Sequence, residues 1–399
     1  LYAAANFVYI YTNIKISLSL MKILLIGEFS RLHNSLKEGL IFLGHEVKIV
    51  AAGDNFKRYP VDYSIHAKFF LNFWGPRKIK NIVYRIIGFD LAKTERAVRF
   101  YFLLPQLKNF DVVQLINSDA LDTHPKLELQ LFKILYRQNK RMALLVCGDE
   151  TPVNEYLLRN ELRYSVLTPY LLDRSKQKEF AYSLKYVTPK YRRLFRWIEK
   201  NASAIIVSDL DYKIPMDRMG YNTLLIPNPI NTDIIQYQEI VSKNRIIIFL
   251  GINKLSYNKK GIPYFEEALD IIKEKYANRV EVIVSENVPY NEYILSYNNA
   301  HIVLDQVYGF DQGYNALEAM AKGKVVFTGA ENEFYEYYKL TEPIAVNALP
   351  DVDYLIERLS FLIENPSEIA AIGNRARKFI ELEHDYIIIA KKYLKTWEA

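Results

Sequence analysis

From Lys22 onward the chain alternates short unbroken apolar runs with stretches whose apolar residues recur every three or four positions. Lys22–Ile26 is such a run, closed by Gly27, and reads as a strand buried on both faces. Beyond the loop Gly27-Glu28-Phe29-Ser30, the residues Leu32, Leu36, Leu40 and Leu43 mark one face of a helix that Gly44 closes. Glu46–Ala51 is the next strand. Strand, glycine turn, helix and strand within about thirty residues make a βαβ unit, and such units build parallel sheets. Further strands are expected at Val112–Ile116, Ala143–Cys147 and Ala204–Val207, with helical stretches between them.

The alternation breaks around Pro227-Asn228-Pro229, where two prolines two apart favour an extended connection. A second series follows. Strands are expected at Arg245–Leu250, Val280–Ser285, Ile302–Leu304 and Lys324–Thr328. Helices are expected at Gly261–Tyr276, Gln312–Lys322, Val352–Glu364, Ser367–Glu383 and Asp385–Trp397. The fold class is therefore α/β, with two Rossmann-like doubly wound domains facing a cleft. The first spans residues 21–222, a linker 223–244, and the second 245–384, with a last helix over 385–399. Open sheets of this kind bind ligands at the carboxyl ends of their strands, so the cleft is the expected site.

Residues 1–20 are apolar and aromatic, but Asn13 and Lys15 interrupt them. They carry no basic leading segment and no small-residue cleavage site, and no 18-residue apolar run. They are expected to be an upstream extension outside the fold, Met21 being the natural start of the first strand.

Composition narrows the function. Half of the 399 residues are hydrophobic and a quarter charged, with 15 Gly and 15 Pro, which excludes disordered and collagen-like chains. A single Cys, Cys147, forbids an intrachain disulfide and any cysteine zinc site, and suits a reducing cytoplasm. The six His show no metal-ligand spacing, so no metal is expected. Net charge is +6, concentrated in two aromatic-rich windows. Lys68–Arg99 holds eight Lys/Arg against two acids, and Arg174–Lys200 nine against two. Such local basic–aromatic surface suits an anionic membrane or a phosphorylated substrate, and no nucleic-acid partner is expected. A solvated helix face with core aromatics behind it is the competing reading.

The chemistry concentrates between Asp305 and Val326. A strand runs into a glycine-containing loop, then a helix opening near Gly313, then a strand. Gly313 lets backbone approach a ligand, and the helix's unpaired N–H groups suit phosphate oxygens. Glu318 stands five residues on, where a carboxylate can accept two hydroxyl hydrogen bonds from a ribose diol.

Here the sequence resembles the GT-B glycosyltransferases, specifically the large retaining group known as family 4. Their donor site carries E-x7-E followed by A-M-A-x-G-x-P-V-V, and Leu-Glu-Ala-Met-Ala-Lys-Gly-Lys-Val-Val, residues 317–326, matches the second half. The resemblance gives Glu318 the nucleotide ribose and Gly313-Tyr314 the diphosphate. Phe310 stands where the first Glu belongs, with Asp311 and Asp305 as possible substitutes, and Lys324 stands one residue before Val325, where proline is common. Phe249-Leu250-Gly251, then Lys254 and Lys260-Gly261, resembles the second-domain opening whose basic residues bind the donor diphosphate. Asn228-Pro229-Ile230-Asn231-Thr232-Asp233 is similar to the family's linker, and Gly27 to a glycine close to the sugar phosphates. The helix Asp385–Trp397 resembles one that crosses back to the first domain.

The first domain is then the acceptor side. Asp149 and Glu150 follow the strand Ala143–Cys147 at its carboxyl end, where related enzymes place a polar His or Gly-x-Asp segment. Either acid could bind an acceptor or donor-sugar hydroxyl, and helix capping by Asp149 or Thr151 is the alternative. His33 is more simply a surface residue, and Asp173, Asp209 and Asp211 carry no usable spacing. The resemblance implies a transferase of surface polysaccharide synthesis, and the single cysteine and basic–aromatic windows suggest a cytoplasmic protein peripheral at the inner face of the cell membrane. It would move sugar from a nucleotide-sugar donor to a glycan or lipid-linked acceptor, with retention and without metal or other cofactor. A catalytically idle GT-B binding subunit and a nucleotide-sugar epimerase are the alternatives.

Overall fold

The computed structural model describes residues 20–53, 59–239, 245–286 and 290–398. The expected upstream extension, apart from its last residue, and residues 240–244 of the expected linker lie outside the described residues.

Two parallel sheets carry the chain. The first runs in the order β3-β2-β1-β4-β5-β6-β7. Its strands are β1 (Lys22–Ile26), β2 (Glu46–Ala51), β3 (Tyr63–Ser64), β4 (Val112–Leu115), β5 (Met142–Val146), β6 (Ala204–Val207) and β7 (Leu224–Leu225). Ile23 of β1 lies opposite Val47 on one side and Val112 on the other. Every residue of β4 and β5 is buried, because helices cover both faces of the sheet. The second sheet runs β12-β11-β10-β8-β9. It is built from β8 (Ile246–Ile252), β9 (Val280–Glu286), β10 (Ile302–Leu304), β11 (Val325–Thr328) and β12 (Val346–Asn347).

The periodic pattern locates the interior strands and misses β3, β7 and β12, since two residues show no period. The expected helix over 367–383 is divided: Pro366–Phe379 is α-helical, with proline in its first turn, and Ile380–His384 is a π-helical turn.

In each sheet the strand order reverses once near the middle, β1 against β4 and β8 against β10. The loops leaving those strands open the crevice between the domains. Two crossings of the chain join the domains and are laced together. Ile230 N donates to the His384 carbonyl at 2.7 Å, and Tyr386 N to the Ile230 carbonyl at 3.1 Å. Thr232 Oγ1 donates to Asp385 Oδ2 at 3.0 Å.

The last helix, Tyr386–Glu398, lies on the first domain's helix Leu32–Phe42. Gly39 permits the approach: a Cβ there would overlap the Tyr386 carbonyl and stand 2.9 Å from Ala390 Cβ. Trp397 is fully buried, and its Nε1 donates to Gln114 Oε1 of β4 at 2.9 Å. Truncating such a buried ring costs about 3–5 kcal/mol, so the chain's last turns are part of the first domain's core.

Candidate functional site

A cavity of about 300 Å³ lies between the domains, where strand ends converge. From the first domain come Phe29 and Ser30 after β1, Asn117 after β4, Cys147, Gly148 and Asp149 after β5, and Asp209 after β6. Asn228 enters from the linker, and Gly313 and Tyr314 from the second domain.

Gly313 caps the helix Tyr314–Ala321 in extended geometry, without a side-chain cap. A Cβ built on it meets nothing nearer than Asp305 Oδ2 at 3.9 Å, so the space beside it is open. The helix's first N–H groups, which no helical carbonyl can serve, begin at this cavity wall. Asp305 Oδ1 accepts from Lys260 Nζ at 2.8 Å and from Asn315 Nδ2 at 3.1 Å. One buried carboxylate thus holds Lys260 beside the helix start. Gly261 has φ +69°, and a Cβ there would stand 2.7 Å from Val307 Cβ, so only glycine lets the lysine loop seat against β10's exit.

The Tyr314 side chain reaches the other domain. Its hydroxyl is 2.8 Å from Ser35 Oγ and donates to the Pro229 carbonyl at 3.1 Å. Burial pushes the phenol well above its ordinary value, with Glu318 adding to the effect. Arg31, in left-handed geometry before the helix Leu32–Phe42, donates to Ser35 Oγ at 2.9 Å and Glu38 Oε1 at 2.7 Å. Burial works against its charge, but Glu38, Tyr314 and Glu318 outweigh it and hold the guanidinium above its usual value. Glu318 therefore stands under the field of a first-domain cation that sequence spacing does not reveal.

Lys254 is placed differently. It sits on a 3-10 turn with its side chain 68% exposed, paired to Glu286 at 2.5 Å, and does not line the cavity. The lysine that reaches across the cleft is Lys259, whose Nζ donates to Asp149 Oδ2 at 2.8 Å and Ser183 Oγ at 3.0 Å. Burial pushes the Asp149 carboxyl up, but Lys259, Ser183 and Asn154 outweigh it and hold it below the ordinary range.

Glu150 lies behind this wall. Its oxygens accept from Ser118 N at 2.8 Å, Ser118 Oγ at 2.6 Å and Thr151 N at 2.8 Å, so Glu150, rather than Asp149 or Thr151, caps the helix Thr151–Leu157. Burial pushes its carboxyl up to about 7. Gly27, at φ +88°, is packed too: a Cβ would overlap Ile116 Cγ2 and stand 3.1 Å from the Ala120 carbonyl. His33 is buried rather than at the surface. Its Nδ1 lies 2.7 Å from the Gly27 carbonyl, and burial lowers it to about 4.

Phe310, in the place of the expected first Glu, is a contact between the domains. Its ring packs on Tyr164 at 5.6 Å, with the Arg163 guanidinium 4.9 Å above it. Arg163 also pairs with Glu333 at 2.7 Å and Glu331 at 3.1 Å. Beside it, Asp211 accepts from Phe310 N at 2.9 Å and Asp311 N at 3.2 Å, while Asp311 accepts from Leu210 N at 3.1 Å. Each domain's acid binds the other's backbone. Burial, then mutual repulsion, pushes Asp209 well up and Asp211 to about 7. Burial alone takes Asp311 up to about 6.

Among the described residues no group of three or more His, Cys, Asp or Glu is arranged to hold a metal ion. Residues 259–395, about a third of the chain, match the family model described as glycosyl transferase-like. The chain is similar to sucrose-phosphate synthase from Thermosynechococcus elongatus, with TM-score 0.59 and 14% identity over 95% of this chain and 98% of that one. It is similar to the HepE protein of Anabaena in complex with UDP and glucose, with TM-score 0.56 and 11% identity over 95% and 99%. It is also similar to UDP-GlcNAc 2-epimerase from Neisseria meningitidis bound to UDP-GlcNAc, with TM-score 0.51 and 13% identity over 94% and 99%. No curated protein sequence matches the chain significantly. The fold is GT-B.

Proposed function

We propose that this GT-B chain is a glycosyltransferase moving a sugar from a nucleotide-sugar donor to a glycan or lipid-linked saccharide, with retention, in surface polysaccharide synthesis. The observation that carries the reading is the donor-side arrangement. The Gly313 helix start opens on the interdomain cavity, Lys260 is held beside it by Asp305, and Glu318 follows on the same helix. The glycosyl transferase-like match over residues 259–395 covers these positions.

The chemistry follows from charge. A departing nucleoside diphosphate needs positive charge, which Lys260 and the helix start supply. Glu318 suits the ribose diol. Asp149 lies across the cavity on the acceptor side, where it can bind a reacting hydroxyl once diphosphate draws Lys259 away. Keeping the cleft closed excludes water, which would otherwise hydrolyse the donor.

The acceptor is read from the surface. No helix among the described residues is long and apolar enough to cross a membrane. The helix Trp74–Ile87 nevertheless buries none of its residues: Trp74 is 67% exposed, and Ile79, Ile82, Ile86 and Ile87 are exposed with it. Arg77, Lys78 and Arg85 rise from the same helix, Lys78 Nζ lying 3.8 Å over the Trp74 ring. Apolar face and cations together fit an anionic leaflet. The second basic window does not share this character, because Tyr186, Tyr191 and Phe195 are core residues.

A catalytically idle donor-binding subunit is the second reading, favoured by Phe310 in interdomain packing where the first Glu is expected. The test is a thermal-shift screen of nucleotide sugars, followed by product analysis with the stabilising donor. A glycosylated acceptor supports the transferase; an epimerised free nucleotide sugar, or binding without turnover, overturns it.

A further inference from the structure

We infer that Asp209 and Asn228 form a subsite for the hydroxyl groups of a sugar, a proposal that rests on the donor-site reading above. Thirteen buried side-chain atoms among the described residues have no hydrogen-bond partner in the protein. Only two of them, Asp209 Oδ1 and Asn228 Oδ1, belong to residues that line the interdomain cavity. Asp209 is 8% exposed and Asn228 4%. A buried oxygen left without a donor is costly, so two of them at one small cavity call for a ligand rich in O–H groups.

Both residues are fixed by their surroundings. Asp209 Oδ2 accepts from Ser208 Oγ at 3.0 Å, and the next residue, Leu210, donates its N–H to Asp311 at 3.1 Å. The Asn228 carbonyl lies 2.9 Å from His384 Nδ1, and the next carbonyl, that of Pro229, accepts from the Tyr314 hydroxyl. The two segments thus meet the second domain at residues 311–314, where the helix facing the diphosphate begins. A group held there is the one attached to the diphosphate. Burial, with Asp211 and Asp311 close by, pushes the Asp209 carboxyl well above its ordinary range. Phe29, Leu32 and Tyr212 supply an apolar wall for the sugar ring.

The test is calorimetric titration of UDP-glucose, UDP-N-acetylglucosamine and GDP-mannose, each against its own nucleoside diphosphate. Asp209→Ala and Asn228→Ala should each weaken the bound nucleotide sugar about tenfold and leave the bare diphosphate within about twofold. Asp209→Asn, which keeps an acceptor oxygen, should recover most of the loss. Asn228→Ser replaces Asn228→Ala if the latter does not fold. Unchanged nucleotide-sugar affinity, or equal losses for nucleotide sugar and diphosphate, would overturn the subsite while leaving the donor site standing. Failure of the wild type to bind any of the five probes would overturn both.

Discussion

Lys259 Nζ stands 2.8 Å from Asp149 Oδ2 across the cleft, while the adjacent Lys260 turns the other way, 2.8 Å from Asp305 Oδ1 of its own domain. Two neighbouring cations are thus divided: Lys259 pairs across the cleft, and Lys260 pairs with the carboxylate beside the Gly313 helix start. Removing Lys259 leaves Asp149 buried without its counter-charge. Lys259→Ala is expected to cost roughly 2–4 kcal/mol, since breaking a buried pair strands the remaining ion. Asp149→Asn in the same chain should recover most of it. Urea denaturation of the single and double variants checks this, and strictly additive losses would deny the coupling.

Glu318→Ala should weaken nucleotide binding by about 1.5–3 kcal/mol, the worth of a charged hydrogen bond to ribose. Lys260→Ala should weaken nucleoside diphosphates more than bare nucleosides. Titration calorimetry reads both, and unchanged nucleotide affinity in Glu318→Ala removes that residue from the site.

Activity is expected to survive EDTA. On the proposed reading, Lys260 and the Gly313 helix start supply the positive charge that a leaving diphosphate needs. Strict dependence on added magnesium or manganese would reject that assignment.

A protein beginning at Met21 should cosediment with anionic vesicles at low salt and detach at high salt, because each Lys or Arg near such a surface contributes about 1 kcal/mol. Trp74→Ser with Ile86→Ser should abolish the binding, whereas charge reversals in the helix Pro189–Asn201 should not. Equal binding to neutral vesicles, or none at low salt, would return the exposed helix to ordinary surface.

Stability should depend on pH with opposite signs at two buried groups. His33 is lowered by burial to about 4, so its contribution is present above its ordinary 6.5 and lost as pH falls through that range. The advantage of wild type over His33→Gln should shrink by roughly 3 kcal/mol between pH 7 and pH 4. Glu150 is raised by burial to about 7, so its contribution is present below its ordinary 4.5 and lost as pH rises through 7. Relative to Glu150→Gln, wild type should lose roughly 3 kcal/mol between pH 5 and pH 8. Differences that stay constant with pH would mean that neither group titrates as its burial implies.

The sequence by itself determined the two α/β series. Strands β1, β2, β6 and β10 occur residue for residue where expected. Of these, β6 and β10 are continuously apolar as buried strands must be, β1 is so after Lys22, and β2 is buried from Ile49 to Ala51. The sequence also drew notice to Gly313 through a loop-to-helix pattern that is local in the chain, and to Tyr314 and Lys260 through the resemblance to the glycosyltransferases. What only the tertiary structure decided involves residues far apart in sequence. Lys259 rather than Lys254 crosses the cleft, and Arg31 bears on Glu318. Glu150, Gly27 and His33 pack behind the cavity wall. Phe310 joins Tyr164 and Arg163, and Asp209 and Asn228 reach one cavity from separate segments. Hydrophobic period reports which face of an element is buried. It carries no record of which charge another domain brings to that face, and that pairing decides whether a carboxylate caps a helix, holds a lysine or waits for a hydroxyl.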